Sequence, residues 1–520
     1  MKLYTAEAMQ DADRRTVDEL GIPGQALMEN AGGECTRLIH QQYGATRAPK
    51  AVIVAGRGNN GGDGYVIARR LAALGWHILT LVLAHREEIV GDARTNLELL
   101  PRAMVRFSPR GILPYAEDLA EATIIVDALL GTGLTRMVDG PYAEAVNLIN
   151  GAGPPVVAVD IPSGIHGTSG NVMGTAVRAT LTVTFAGAKV GQFLYPGTEY
   201  VGELRVVEIG IPPGLLAEIP GYEYLDIAAA RSTLRPRPRT AHKGSCGHLL
   251  VIAGSRGKTG AAAMAANSAV RSGSGLVTLA VPATLHDILE VKTTEAMTFP
   301  LDDAGRGYLG SLALPEILAL LPGRDAVALG PGLSRNPETA ALVRQLLKEI
   351  RIPLLLDADA LNAVSEEPES LAAIRSPATV LTPHPGEMAR LCGCSVADIE
   401  ANRVATARDA AIRHGVYLIL KGARTVCAAP DGRIALNGSG NPGMATGGMG
   451  DILTGIVGSL LGQGYPPFDA CKLGVFLHGL AADLVAADKG EIGLCATDVQ
   501  EKLPYAYNYL RRSPCKPSVK

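Results

Sequence analysis

Residues 441–455, NPGMATGGMGDILTG, set an acid, Asp451, directly behind a run of glycines. Apolar Ile452, Leu453, Ile456 and Val457 follow at helical spacing, so a helix is expected to start at or just after the acid. A glycine turn running into a helix offers free backbone N–H groups and the positive end of the helix dipole, and both favour a phosphate. An acid at that point can take the proton from a hydroxyl that attacks a phosphoryl group. The segment points to phosphoryl transfer. Its plainer reading is a turn whose aspartate caps a helix.

Other strings in the same half add polar groups. AGSRGKTGA, residues 253–261, falls short of a P-loop because position 252 is Ile, and reads as a tight strand-to-helix turn lining a pocket. LGPGL, residues 329–333, is a second glycine turn. LLLDADALN sets Asp357 and Asp359 after a strand; one is expected to face the site and the other to cap or stabilise the fold. In LTPHPGEMARL, His384 is placed to touch a ligand. Glu387 either orients magnesium through water or is a first-turn glutamate favoured by the helix dipole. LILKGART supplies a cation, Lys421, and turn amides for nucleotide phosphates. His478 reads as a core or capping residue.

The first half carries GRGNNGGDG, residues 56–64, straight after the apolar run AVIVA. Strand, glycine loop and helix form a geometry for holding a phosphate or dinucleotide. Gly56, Gly58 and Gly61 fit GxGxxG, yet polar Asn59, Asn60 and Asp63 crowd the turn, so an ion or an amide-bearing ligand fits as well. IIVDALLGTG ends a strand at Asp127, and VVAVDIPSG ends one at Asp160 before Ser163. Parallel strands share one carboxyl edge, so these acids and the 59–63 loop are expected to converge in one pocket. Each acid alone is as readily a cap or turn former. Lys189 either neutralises nearby negative charge or is solvated.

The elements that must position these groups are short apolar runs alternating with helical stretches. Runs at residues 51–55, 77–83, 123–127, 156–160, 181–185 and 204–209 predict an α/β, Rossmann-like, doubly wound parallel sheet over roughly the first 210 residues. A break follows through IPPG and the basic, proline-bearing RPRPRTAHK, which reads as a linker. The alternation resumes with runs at 246–253, 276–281, 326–329, 354–357, 379–381 and 416–421. The boundary is expected near residue 225, giving modules of residues 1–225 and 226–520 without an internal repeat.

Composition narrows the partners. The 520 residues are 47% hydrophobic and 19% charged, with net charge −3, which argues against nucleic-acid binding. The cysteines, Cys35, Cys246, Cys392, Cys394, Cys427, Cys471, Cys495 and Cys515, lack zinc or CxxC spacing and suggest buried, reduced thiols in the cytoplasm. The N-terminus has no apolar signal core, and no uninterrupted apolar run is long enough to predict a membrane span.

GNNGGDG, DALLGTGL, DIPSGI and the opening AEAMQDADRRTVDELGIPGQALMENAG closely resemble the N-terminal domain of bacterial NAD(P)H-hydrate repair enzymes, over residues 1–215. The resemblance implies an epimerase exchanging the R and S forms of hydrated NADH and NADPH (NADHX and NADPHX). By matching position, Asn59, Asn60, Gly61, Gly62 and Asp63 would bind substrate. So would Gly131, Thr132, Gly133, Leu134, Thr135, Arg136 and Met137. Asn60, Asp127 and Ser163 would hold a potassium ion, and Asp160 would contact substrate as the acid–base residue.

PHPGE, LKGART, NPGMATGGMGDILTG and KGSCGHLLVIAGS resemble the ribokinase-like ADP- or ATP-dependent NAD(P)HX dehydratase, to about residue 505. The family usually has GTGD or GSGD; GMGD changes a side chain, Met449, in a loop that acts through its backbone. The resemblance implies that Ala262, Gly332, His384 and Asp451 contact the hydrate. Lys421, Gly422, Ala423, Arg424, Thr425 and Gly450 would hold ADP or ATP, with magnesium. Asp451 would activate the hydroxyl for phosphorylation, and loss of phosphate would restore the ring double bond. The rivals are a ribokinase-class vitamin kinase and a non-catalytic first module. Both signatures in one chain favour a bifunctional repair enzyme, expected to be cytoplasmic and homo-oligomeric.

Overall fold

Apolar runs covered on both faces become parallel strands. The computed structural model describes residues 1–512, so Cys515 lies outside the described residues. One unit spans residues 2–222; the other comprises Met1 and residues from 223 onward.

In the first unit the parallel sheet runs in the order Val105–Phe107, His77–Val82, Lys50–Ala55, Ile124–Ala128, Val156–Val159, Leu181–Phe185, Glu203–Val207. Alternate residues of Lys50–Ala55 face opposite layers. Ala51, Ile53 and Ala55 pack with the helices Gly24–Tyr43 and Asn59–Ala73, while Val52 and Val54 pack with Ala145, Val146 and Ile149 of the helix Gly140–Gly151. Chain direction across the sheet reverses between Lys50–Ala55 and Ile124–Ala128, where a doubly wound sheet opens its ligand crevice. A short parallel pair, Lys2–Tyr4 with Ala188–Lys189, sets Tyr4 opposite Lys189.

The second unit is built likewise. Its parallel strands run in the order Met297–Leu301, Leu276–Pro282, His248–Ile252, Ala326–Leu329, Leu354–Leu356, Thr379–Leu381, Tyr417–Leu420. Val426–Ala428 then turns antiparallel and pairs onward with Ile434–Asn437. The reversal here lies between His248–Ile252 and Ala326–Leu329. The helix Met449–Gly462 packs against Thr259–Arg271 so closely that a Cβ on Gly455 would overlap the Ala265 carbonyl oxygen.

Two expectations change, and one long apolar helix is found. The 59–63 stretch is not loop: the helix Asn59–Ala73 starts at Asn59, because its glycines fit a close-packed helix start. The helix Pro467–Lys489 is long and apolar enough to span a membrane by length and composition, although 72% of its apolar window is buried in the core. The thiols are not all buried, since Cys394 and Cys495 are exposed.

Candidate active sites

In the first unit, three adjacent strands end at one crevice. Asp127 is wholly buried, and its carboxylate accepts the Ser163 hydroxyl at 2.6 Å, the Ser163 N–H at 2.8 Å and the Leu129 N–H at 3.3 Å. The Ser163 hydroxyl oxygen in turn accepts the Leu130 N–H at 2.8 Å. Burial raises the Asp127 carboxyl to about 6 against the pull of these donors. Asn60 is buried beside the 131–137 loop: a Cβ on Gly131 would lie 3.3 Å from the Asn60 Cβ. Its Nδ2 has no hydrogen-bond partner among the described residues, an arrangement that a ligand can satisfy.

Asp160 follows the strand Val156–Val159 with φ +66°, a left-handed conformation unusual outside glycine. Its Oδ1 accepts from Thr184 Oγ1 at 3.1 Å and Phe185 N at 3.2 Å, and pairs with Lys189 Nζ. Gln192 Nε2 donates to the Asp160 carbonyl at 2.7 Å. Lys189 is only 2% exposed, so the solvated reading fails and the charge-neutralising one holds. Burial, then Asp160 and Asp13, push the Asp63 carboxyl well above its ordinary value. Asn59 is exposed, while Gly61 and Gly62 are buried in the helix start. In the facing loop, Leu134 is buried and Gly133, Thr135, Arg136 and Met137 are exposed, with Gly131 and Thr132 between.

In the second unit, Gly448 takes φ +92° as the cap of Met449–Gly462, which places Asp451 in the first turn. Burial, then Asp357, raise the Asp451 carboxyl to about 7; Lys421 and Lys258 oppose the shift. Asp357 sits beneath, accepting Lys421 Nζ at 2.8 Å, Thr382 Oγ1 at 2.6 Å and Thr454 Oγ1 at 2.8 Å. A Cβ on Gly450 would come within 3.3 Å of Lys421 Nζ. Burial works against the Lys421 charge, yet Asp357 and Glu387 together hold its pKa above the ordinary value. Asp359 accepts Lys258 Nζ and Ser334 N–H, each at 2.9 Å. Both acids of LLLDADALN therefore join the charged cluster, where only one was expected to face the site.

His384 caps the helix Pro385–Cys392. Its Nδ1 accepts Gly386 N–H at 3.0 Å, and Glu387 Oε2 accepts the His384 N–H at 2.8 Å. His384 is exposed, whereas Glu387 is buried and lifted by burial to about 7. Gly332, at φ +63°, has its carbonyl held by the Ser255 hydroxyl at 2.7 Å. Gly422, Ala423 and Thr425 keep part of their surface open, while the Arg424 guanidinium is bonded to the Gly438 carbonyl at 3.1 Å. Ala262 has no accessible surface, and a Cβ on Gly254 would lie 3.3 Å from its Cβ. His478 is a core residue as expected. Burial lowers its imidazole to about 4, and Nε2 has no partner among the described residues.

Asp13, Lys258 and Thr454 escaped the sequence reading. Lys258 alone carried a signal, a cation inside a glycine turn. Among the described residues, no group of three or more His, Cys, Asp or Glu side chains is arranged to hold a metal ion.

A family model described as NAD(P)H-hydrate dehydratase matches residues 249–505, and one described as YjeF-related protein N-terminus matches residues 24–191. The chain is 43% identical to the bifunctional NAD(P)H-hydrate repair enzyme of Moorella thermoacetica, over 98% of this chain and 97% of the relative. It is 35% identical to that of Escherichia coli, over 97% of this chain and 94% of the relative. The structure of the ADP/ATP-dependent NAD(P)H-hydrate dehydratase from Bacillus subtilis, co-crystallized with ATP/Mg2+, matches with a TM-score of 0.50 and 30% identity, covering 56% of this chain and 99% of that one. The pairing of a YjeF-related first module with a ribokinase-like dehydratase module, at this identity over nearly the whole length, makes the chain a member of the bifunctional NAD(P)H-hydrate repair enzyme family.

Proposed function

We propose that residues 1–225 exchange the R and S hydrates at the crevice beside Asp160, and that residues 226–520 dehydrate the S form at Asp451. The observation carrying the second half is the Asp451 carboxyl, raised to about 7, at a glycine-led helix start with Lys421 close by. Such a group can take a hydroxyl proton at neutral pH. Lys421 with the Gly422–Thr425 turn and Gly450 would bind the nucleotide, and Gly332 and His384 the hydrate. Phosphorylation turns a poor leaving group, hydroxide, into phosphate, which is why a nucleotide is consumed.

ADP is the favoured donor, giving AMP and phosphate. Magnesium fits a site of this kind because it usually arrives on the nucleotide with waters and few carboxylates, and buried Glu387 is the side chain to steady it through water. In the first unit, Asn60, Asp127 and Ser163 would offer a potassium ion oxygen ligands: the Asp127 carboxylate and the Ser163 hydroxyl are in contact, and Asn60, buried beside the facing loop, carries an amide oxygen. Potassium would supply a fixed positive charge at the crevice. Residues 59–63 and 131–137 would bind the dinucleotide. A cytoplasmic homo-oligomer acting on both NADHX and NADPHX completes the reading.

The test incubates the protein with mixed R and S NADHX and either ADP or ATP, and follows reduced-nicotinamide absorbance. Full recovery of both epimers with release of phosphate is expected, faster with ADP. Recovery of one epimer alone would remove the epimerase assignment. Stable phosphorylation of a vitamin alcohol without recovery would replace the dehydratase by a kinase.

A further inference from the structure

Water adds to an enamine with its oxygen on the carbon bonded to nitrogen. The epimers therefore differ at a carbon that carries both the ring nitrogen and the hydroxyl. One route to inversion breaks that C–O bond. The nitrogen lone pair forms C=N as the hydroxyl leaves with one added proton as water. Water then adds to the opposite face and releases one proton. No electrons are exchanged and the protons balance. The site needs one group that gives a proton and one that takes it.

Asp160 is poorly built to do both. The ammonium of Lys189, the hydroxyl of Thr184 and the N–H of Phe185 all bond its Oδ1, and Lys189 is buried. That oxygen is thereby committed to three donors. Asp63 is buried. A third acid stands beside the pair. Tyr4 lies opposite Lys189 in the short strand pair, and the helix Ala6–Asp18 begins just after it. Met9 packs over Gly187, where a Cβ would lie 3.4 Å from the Met9 sulfur. Asp13 is one helical turn further on the same face. It falls within electrostatic reach of Lys189 and Asp160. Unlike them it is exposed to solvent, although protein atoms wall it closely enough to disfavour its charge.

We propose that Asp13 is the second proton-handling carboxyl of the epimerase: it protonates the departing hydroxyl and is reloaded from solvent, while Asp160 takes the proton from the returning water. The proposal rests on the assignment of Asp160 as acid–base residue. The groups facing Asp13 are Lys189, which favours its anion, and Asp160, which favours its acid; burial is the largest influence and the carboxyl reaches about 6, while Asp13 in turn helps to raise Asp63. An acid of this strength keeps a usable protonated fraction near neutrality.

Conversion of pure R-NADHX to the S form is measured from pH 5 to 8, with spontaneous exchange subtracted, for the full-length protein and for Asp13→Asn, Asp13→Glu and Asp160→Asn. Asp13→Asn is expected to slow exchange about 100-fold and to lose the decline in rate as pH rises through about 6. Asp13→Glu should keep the rate within about tenfold and retain that decline. Asp160→Asn should abolish exchange. Wild-type rate and pH profile in Asp13→Asn, with Asp160→Asn inactive, would overturn the role of Asp13 alone. Equal damage in Asp13→Asn and Asp13→Glu with an unchanged pH profile would make Asp13 a packing residue and overturn it too. Wild-type exchange in Asp160→Asn would overturn the Asp160 assignment, and this proposal with it.

Discussion

Asp451 titrates where its chemistry needs it. Burial and the neighbouring Asp357 lift its carboxyl to about 7, so the ionised, proton-accepting form gains as pH rises through that value. The kcat/KM for S-NADHX dehydration is therefore expected to climb between pH 6 and 8 and then level. Asp451→Asn should lower kcat about 10²- to 10⁴-fold while leaving R/S exchange intact. Steady-state kinetics of both reactions on the same preparation check this. Asp451 was legible because its signal is local: a glycine turn, an acid and a helical apolar pattern within one short string. Asp13 was not. It sits on the exposed face of an amphipathic helix, and nothing near it in sequence tells of Lys189, which reaches it only through the pairing of Lys2–Tyr4 with Ala188–Lys189.

Elements are positioned by close approach as much as by hydrophobic pattern. A Cβ on Gly61 would overlap the Gly56 carbonyl oxygen, whereas one on Gly58 would meet nothing within 4 Å. Gly61→Ala is expected to destabilise the first unit by about 1–3 kcal/mol or more and to impair exchange; Gly58→Ala, at an exposed position with φ −91°, should cost under about 0.5 kcal/mol. Thermal melts of the two variants distinguish them. The helix Pro385–Cys392 makes a second case. Its Glu387 caps His384 while holding its proton to about 7 when folded, against an ordinary value of 4.5 when unfolded. Between those pH values the folded state binds more protons, so stability falls as pH rises. Glu387→Gln keeps the cap and loses the titration. It should match the wild type at pH 4 and melt higher at pH 8. The long parallel strands were legible from uninterrupted apolar runs. Lys2–Tyr4, Val105–Phe107 and the antiparallel Val426–Ala428 were not, because each gains its conformation from the strand it pairs with.

At the scale of the whole chain, two chemistries in sequence impose a kinetic order. The dehydratase takes one epimer and the epimerase replenishes it, so the consumed nucleotide counts every hydrate repaired. With equal R and S NADHX and excess ADP, absorbance should recover in two phases, the first from the S form already present and the second limited by exchange. One phosphate should appear for each nicotinamide restored in both phases. Asp160→Asn should keep the first phase and stop near half recovery, creeping onward only at the spontaneous exchange rate. Asp451→Asn should show neither phase, yet should still equilibrate a pure R sample. Adding Asp160→Asn protein to Asp451→Asn protein in one tube should restore both phases, because the hydrate diffuses freely between a working dehydratase and a working epimerase. Failure of that mixture, with each single activity intact, would mean that substrate is handed over within one chain rather than through solution.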